Sequence, residues 1–215
     1  MGDPEKHFAG NNLWEVAPPY RIFVSHSYQV DFVSPTGADV PFSMDQMAIS
    51  SYAIKYENFN GKVANSLTPD MVDYQDYKAV FIGGDYGPLF DVAKNSSLQA
   101  IIANIYENGG VVGGCGHGRS AFANVKLSNG DYMVKDRKVT GFPNSTEVTK
   151  SWAREGTLLP IMLEEQLRAN GALFQTKDDL ADKHDVVIDQ RIVSTMFLPS
   201  SAIVAKEMIN EIEKN

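Results

Sequence analysis

The run Gly113-Gly114-Cys115-Gly116-His117-Gly118 sets a thiol and an imidazole among glycines. It continues an apolar stretch, Val111-Val112, and leads into residues 118–125, which read as a helix. A strand that turns sharply into a helix has the form of a nucleophile elbow. Small neighbours let the backbone tighten, the residue at the tip is pushed into a pocket, and the helix start lends free N–H groups and positive dipole. Glycine-rich turns after strands also bind phosphate or simply pack. Cys115 is the single cysteine, which excludes an intrachain disulfide and a cysteine-based zinc site. A lone cysteine is equally well a small buried hydrophobe. His7, His26, His117 and His184 show no metal-ligand spacing, so neither a metal nor another cofactor is expected.

The elements around this elbow alternate. Residues 13–27 read as a helix that Pro18-Pro19 bends or restarts. Residues 28–35 alternate with period two and end at Pro35, the pattern of a strand. Residues 44–56 suit a short helix. Lys78-Ala79-Val80-Phe81-Ile82-Gly83-Gly84 is an apolar run closed by a glycine pair, as in a buried parallel strand. Residues 96–108 carry apolar side chains at helical spacing, and Gly109-Gly110 stops them. Further on, residues 131–142 suggest a β-hairpin or ribbon, and 148–154 and 161–169 suggest helices. A strand pair around a tight turn is expected over 186–193, and an amphipathic helix over 200–214. Strands alternating with helices predict an α/β fold, a mostly parallel sheet sandwiched by helices, in one domain over residues 1–215. In such sheets ligands bind beyond the carboxyl ends of the strands, where the loops after Ile82 and Cys115 fall.

Composition narrows the partners. The chain has 215 residues, 43% hydrophobic, and a formal charge of −8. Its cations are scattered, which disfavours nucleic acid. No run reaches the roughly 18 apolar residues of a membrane span, and Met1-Gly2-Asp3-Pro4-Glu5-Lys6 lacks an apolar signal core. A cytoplasmic protein is expected. The sequons at Asn95 and Asn144 read as chance matches.

Several segments resemble the DJ-1/PfpI superfamily, most closely its glutathione-independent glyoxalase and holding-chaperone subgroup. They are Trp14-Glu15-Val16-Ala17-Pro18-Pro19-Tyr20, Gly87-Pro88-Leu89-Phe90-Asp91, Tyr106-Glu107-Asn108-Gly109-Gly110-Val111-Val112, His117-Gly118 and Lys138-Val139-Thr140-Gly141-Phe142. The resemblance runs from about residue 10 to the C-terminus. It implies a flavodoxin-like fold with a β-hairpin addition, a homodimer, and a Cys-His-Glu triad. In this numbering His117 matches the histidine, Glu147 the triad acid, and Glu15 the carboxylate that faces the thiol. The cysteine position is Gly116, while Cys115 stands where the family has a small apolar residue. Three further departures surround the same pocket. Asp85-Tyr86 replace a glycine-histidine pair after Gly84, Arg119 replaces a proline, and Phe197-Leu198 replace an asparagine-proline pair. The family's opening strand, about twenty residues before Glu15, has no counterpart in the polar residues 1–12.

Without a thiol at residue 116, covalent attack is lost at the usual place. Strand alternation turns Cys115 away from the pocket and into the core. Acid–base groups remain: Glu15, His117 and Glu147 as catalytic candidates, with Gly84, Asp85, Tyr86, Cys115, Gly116, Arg119, Phe197 and Leu198 around the substrate. The leading expectation is a cofactor-free enzyme that moves protons on a small-to-medium carbonyl metabolite by isomerisation, elimination, hydration or cyclisation. The alternatives are a catalytically dead binding or chaperone-like protein, and residual glyoxalase activity through Cys115. The bland roles also stand: His117 orienting the elbow, Glu15 partnering a backbone amide, Glu147 favouring a helix start, and Asp85-Tyr86 forming a surface turn.

Overall fold

Asn12 opens the first helix. Its side-chain oxygen accepts the Trp14 N–H at 3.0 Å and caps α1 (Leu13–Ser25). The computed structural model describes residues 10–42, 58–150, 159–180 and 185–214. α1 runs unbroken through Pro18 and Pro19. Proline has no N–H, so the carbonyls four residues back, at Trp14 and Glu15, lose their helical donors. Tertiary groups replace them. The Ser201 hydroxyl donates to the Trp14 carbonyl at 2.8 Å, and the Cys115 thiol lies 3.9 Å from the Glu15 carbonyl. The prolines thus attach this helix to the rest of the fold at the turn that carries Glu15.

The sheet follows. β1 (Ala79–Ile82) leads through α2 (Ser96–Glu107) to β2 (Val111–Cys115). Two short strands, β3 (Lys138–Val139) and β4 (Leu173–Phe174), pair in parallel as a separate small ribbon, with α3 (Leu163–Ala169) between them in sequence. β5 (Val186–Asp189) and β6 (Ile192–Thr195) form an antiparallel hairpin, and α4 (Ser201–Glu213) ends the described chain. The main sheet has the order β1-β2-β6-β5, with β1, β2 and β6 parallel. Period-two alternation then divides the core. Val111 and Val193 meet Phe23 of α1 and Met208 of α4 on one face. Val112 and Ile192 meet Ile102 and Tyr106 of α2 on the other, with Phe122 and Leu167. This is the α/β arrangement the alternating pattern predicts.

Two expected elements differ. Residues 28–35 form no strand, and among the described residues they make a single bridge, Val33 to Leu67. Their alternation reflects apolar anchoring instead: Phe32 packs against Tyr20 at a tilt and meets Phe59 edge-on, with ring centroids 5.5 Å away in each case. Lys62 Nζ takes the Val30 carbonyl at 2.7 Å, so a side chain supplies what a ladder would have supplied. Residues 131–142 are not a hairpin. Their extended part is β3, which pairs with β4 more than thirty residues on (Val139 with Phe174); Tyr132 makes an isolated antiparallel bridge to Lys126, and turns occupy 133–136. The helix expected over 44–56 lies outside the described residues, as does most of 148–154. Among the described residues no strand precedes Ala79, and no helix is long and apolar enough to cross a membrane.

Candidate active site

β2 ends at Cys115, and the backbone turns at once into a short helical segment, Gly116–Arg119, that continues as Ser120–Ala123. Gly116 makes the turn at φ +49°, a conformation that L side chains rarely adopt. This is the geometry of a nucleophile elbow with no side chain at its tip. A Cβ on Gly116 would lie 3.2 Å from Glu15 Oε2 and 3.3 Å from Oε1. The Glu15 carboxyl therefore stands over the bare tip.

Glu15 reaches this place from α1 and is 6% exposed. It packs so closely on the loop after β1 that a Cβ at Gly84 would fall 1.5 Å from Oε2. Burial raises its pKa above the ordinary carboxyl value, and the negative charge of Asp85 adds to the rise. The thiol hydrogen bond from Cys115 and the positive charges of His117 and Arg119 pull the other way without cancelling it. Asp85 holds its own place at φ +64°, just after the glycine pair.

His117 forms the opposite side of the elbow. Its Nε2 lies 2.5 Å from Glu147 Oε2, and both side chains are almost fully buried. Tyr86 donates its hydroxyl to the second oxygen, Glu147 Oε1, at 2.9 Å. The imidazole is sandwiched between rings, with Tyr86 at 4.2 Å and Phe142 at 4.5 Å between centroids. Glu147 thus fixes Nε2 and leaves Nδ1 as the nitrogen it does not engage.

These groups surround a pocket of about 350 Å³. Glu15, Asp85, Tyr86, Gly116 and His117 line its base, and Phe197 and Leu198 line its rim. Phe142, Met196 and Pro199 complete the apolar wall, and Lys150 also lines the pocket. Phe142 belongs to a segment that carries the resemblance, and Met196 and Pro199 flank Phe197-Leu198, so these three had a sequence signal. Lys150 had none. Glu147 stands behind His117 and Gly84 behind Glu15; neither lines the pocket.

Besides Gly84, two expected pocket residues are placed differently. Arg119 is wholly buried, with Nη2 donating to the carbonyls of Gly116, at 3.2 Å, and Thr195. It braces the elbow from beneath, and burial pushes its pKa down to about 9. Cys115 is also wholly buried and does not line the pocket. Alternation does send it to a core face. That face is where α1 packs, so the thiol meets Glu15 Oε2 at 3.0 Å instead of pointing away from it. Burial, then the charge of Glu15, holds the thiol well above its usual pKa. Such a thiol is a hydrogen-bond donor and a poor nucleophile. Iodoacetamide should accordingly label Cys115 in the folded protein roughly 100-fold more slowly than in the urea-unfolded chain, read by intact mass. Fast labelling of the folded protein would contradict the assignment.

Among the described residues no cluster of three or more His, Cys, Asp or Glu could hold a metal ion. The arrangement can carry protons: one desolvated carboxyl and one carboxylate-backed imidazole flank an open space at a strand-to-helix turn.

The parallel sheet, the elbow at the carboxyl end of β2 and the His117–Glu147 pair define an α/β domain with a strand-to-helix elbow site. In sequence the chain is similar to glutathione-independent glyoxalases, and in fold to ThiJ/PfpI domain proteins. It is 31% identical to the glutathione-independent glyoxalase HSP31 of Saccharomyces cerevisiae over 144 residues, 62% of this chain and 60% of that protein. The match thus spans less than two thirds of HSP31. Glyoxalase 3 of Candida albicans is 27% identical over 216 residues, 94% of this chain and 89% of that protein. The crystal structure of glyoxalase III from Candida albicans superposes with a TM-score of 0.83 at 23% identity, covering 96% of this chain and 90% of that one. A ThiJ/PfpI domain protein from Brachyspira murdochii superposes at 0.68 and 17% identity, over 96% and 92% of the two chains. No protein-family model matches the chain.

Proposed function

We propose that this protein is an enzyme that works without the family thiolate, moving protons on a small-to-medium carbonyl metabolite. The observation that carries this reading is the Glu15 carboxyl, desolvated and held over the bare Gly116 with His117 across the pocket. A carboxylate with a raised pKa is a stronger base than one in water and sits nearer the working pH. Glu15 removes a proton from the carbon beside the substrate carbonyl. The electron pair moves onto the carbonyl oxygen, where elbow N–H groups near Gly116 stabilise it. Return of the proton at a new carbon completes an isomerisation, and departure of a β-substituent completes an elimination. The names of the relatives support carbonyl chemistry, and the buried, protonated state of Cys115 argues against a thiol route. The partners implied are a small molecule and, by family likeness, a second copy of the chain.

The test is turnover of a panel of 2-oxo and hydroxycarbonyl compounds followed by proton NMR in deuterated water, where proton abstraction appears as deuterium incorporation. His117→Ala should lower kcat on any substrate found by roughly 10²–10⁴-fold. Unchanged turnover in both His117→Ala and Glu15→Gln would remove the proposal.

A further inference from the structure

Arg119 lies wholly buried beneath the elbow, and the proton transfer described above gives it no part. Its Nη2 donates to the Gly116 carbonyl at 3.2 Å and to the Thr195 carbonyl. Thr195 ends β6 and stands in register with Cys115 at the end of β2, so the guanidinium clips the turn to the neighbouring strand. Its Nε and Nη1 are buried with no hydrogen-bond partner among the described residues. A cation buried on so few acceptors adds no net stability, and an apolar side chain of similar length would fill the space at least as well. Bracing alone therefore does not account for the charge. Burial pushes its pKa down to about 9, which leaves the guanidinium charged at neutral pH.

The bond to Gly116 sets a direction. Across a trans peptide the C=O and N–H groups point opposite ways. The Gly116 carbonyl turns down to Arg119, so the His117 N–H turns away from it. Gly116 and His117 line the pocket and Arg119 does not, which puts that N–H on the pocket side. A charged donor on the carbonyl also polarises the peptide and makes its N–H a stronger donor. The charge reaches further. It lowers the pKa of Glu15 against the larger rise that burial causes, and so favours the ionised base. Proton abstraction then moves one negative charge from Glu15 to the substrate oxygen, both at the elbow that Arg119 supports. The family resemblance implies a proline at this position, which could supply neither the donors nor the charge.

We infer that Arg119 is a positioning residue of the proposed reaction: from beneath the elbow it holds the Gly116–His117 peptide with its N–H toward the pocket and fixes a positive charge under the place where negative charge develops. Its effect on turnover rests on Glu15 being the base. Its effects on the Gly116 carbonyl and the Glu15 carboxyl do not.

The test is Arg119→Met, which keeps most of the buried stem and removes the charge and its donors. Carbon NMR of the isotope-labelled protein follows two signals that need no substrate. The Gly116 carbonyl carbon should move upfield as its charged donor is lost, and the Glu15 carboxyl should titrate at higher pH than in wild type. The charged and titratable groups that face Glu15 are Cys115 from β2, Asp85 after β1, and His117 and Arg119 at the elbow. Glu15→Gln assigns the carboxyl signal. On a substrate whose turnover Glu15→Gln abolishes, kcat should fall at least about tenfold with KM little changed. The acid limb of the pH profile should follow the Glu15 carboxyl upward, while the melting temperature is no lower than that of wild type. Arg119→Lys keeps the charge but cannot span both carbonyls. It should leave the Glu15 titration near wild type, move the Gly116 signal and restore part of kcat, and it carries the test if Arg119→Met does not fold. Signals that stay in place in the folded variants would overturn the assignment. So would moved signals with unchanged kcat, or a kcat loss that merely accompanies a large drop in melting temperature. Should Glu15→Gln keep wild-type turnover, the proposed reaction fails by itself. A moved Gly116 carbonyl would then still support the orienting role of Arg119, and an unmoved one would overturn it.

Discussion

Glu15→Gln should lower kcat/KM by roughly 10²–10⁴-fold while making the protein more stable at neutral pH. The two effects share one cause. Glutamine keeps the shape of the side chain that fills the space beside Gly84 and over Gly116, and it still offers Cys115 an acceptor. It cannot take a proton. The stability effect follows from the direction of the pKa shift. A carboxyl raised by burial binds its proton more tightly in the folded state than in the unfolded one. Its contribution is fully present below the ordinary carboxyl value of 4.5 and is lost as pH rises through the folded pKa. Above that window wild type carries a buried, poorly solvated anion and the variant does not. The difference in melting temperature between Glu15→Gln and wild type should therefore be smallest near pH 4, grow in favour of the variant as pH rises, and then level off. A variant that is inactive and also less stable at every pH would mean that Glu15 is a structural residue. A variant with wild-type activity would mean that it is not the base.

Contiguity decided what could be seen in the chain before its fold was known. The elbow was legible because its parts are adjacent: an apolar strand, glycines at the turn, and His117 directly after Gly116. The β5–β6 hairpin and α4 were legible for the same reason, each carrying its own turn or helical period. Residues 28–35 misled because alternation reports which side chains are buried, not whether a neighbouring strand exists. Val30 and Phe32 are anchored in the cluster around Tyr20 and Phe59 without a ladder. Residues 131–142 misled because β3 finds its partner in β4, on the far side of α3, and local pattern carries no record of that pairing. In the site, Glu15 and Glu147 were visible only through the family resemblance. They arrive at the elbow from α1 and from the turn after Phe142, and no spacing links them to His117. The orientation of Cys115 was half legible. Alternation placed it on a core face, but only the packing of α1 on that face brings its thiol to Glu15. Lys150 was invisible, since a lysine in a predicted helix reads as solvated surface until the pocket wall is seen.

Gly116→Cys should create a reactive thiol at the tip of the elbow. The Cβ would project toward Glu15, 3.2 Å from Oε2, so the new sulfur enters the pocket beside a carboxyl and across from His117. Cys115, one residue earlier, has neither access to the pocket nor a protonation state that favours attack. The two cysteines would therefore behave oppositely: residue 116 alkylated rapidly by iodoacetamide, and Cys115 still protected. The cost is conformational. A φ of +49° suits glycine, and a side chain there loses about 1–2 kcal/mol, visible as a modest drop in melting temperature. The family resemblance implies that a thiolate at this position attacks an aldehyde, so Gly116→Cys should turn over methylglyoxal faster than wild type does. The filled tip should at the same time suppress the proposed proton-transfer reaction, because the added side chain takes the space over which Glu15 stands. Carrying Cys115→Ser in both backgrounds assigns any labelling to residue 116 and removes the donor to Glu15 as a separate variable. If the Gly116→Cys protein folds and its new thiol labels no faster than Cys115, the bare tip does not open into the pocket and the site geometry argued from Gly116 fails. If the thiol labels rapidly but methylglyoxal is untouched, the elbow is competent and the departures at Asp85-Tyr86, Arg119 and Phe197-Leu198 have moved the pocket away from that substrate. The pocket would then be specialised for the proton-transfer substrate and not for the aldehyde.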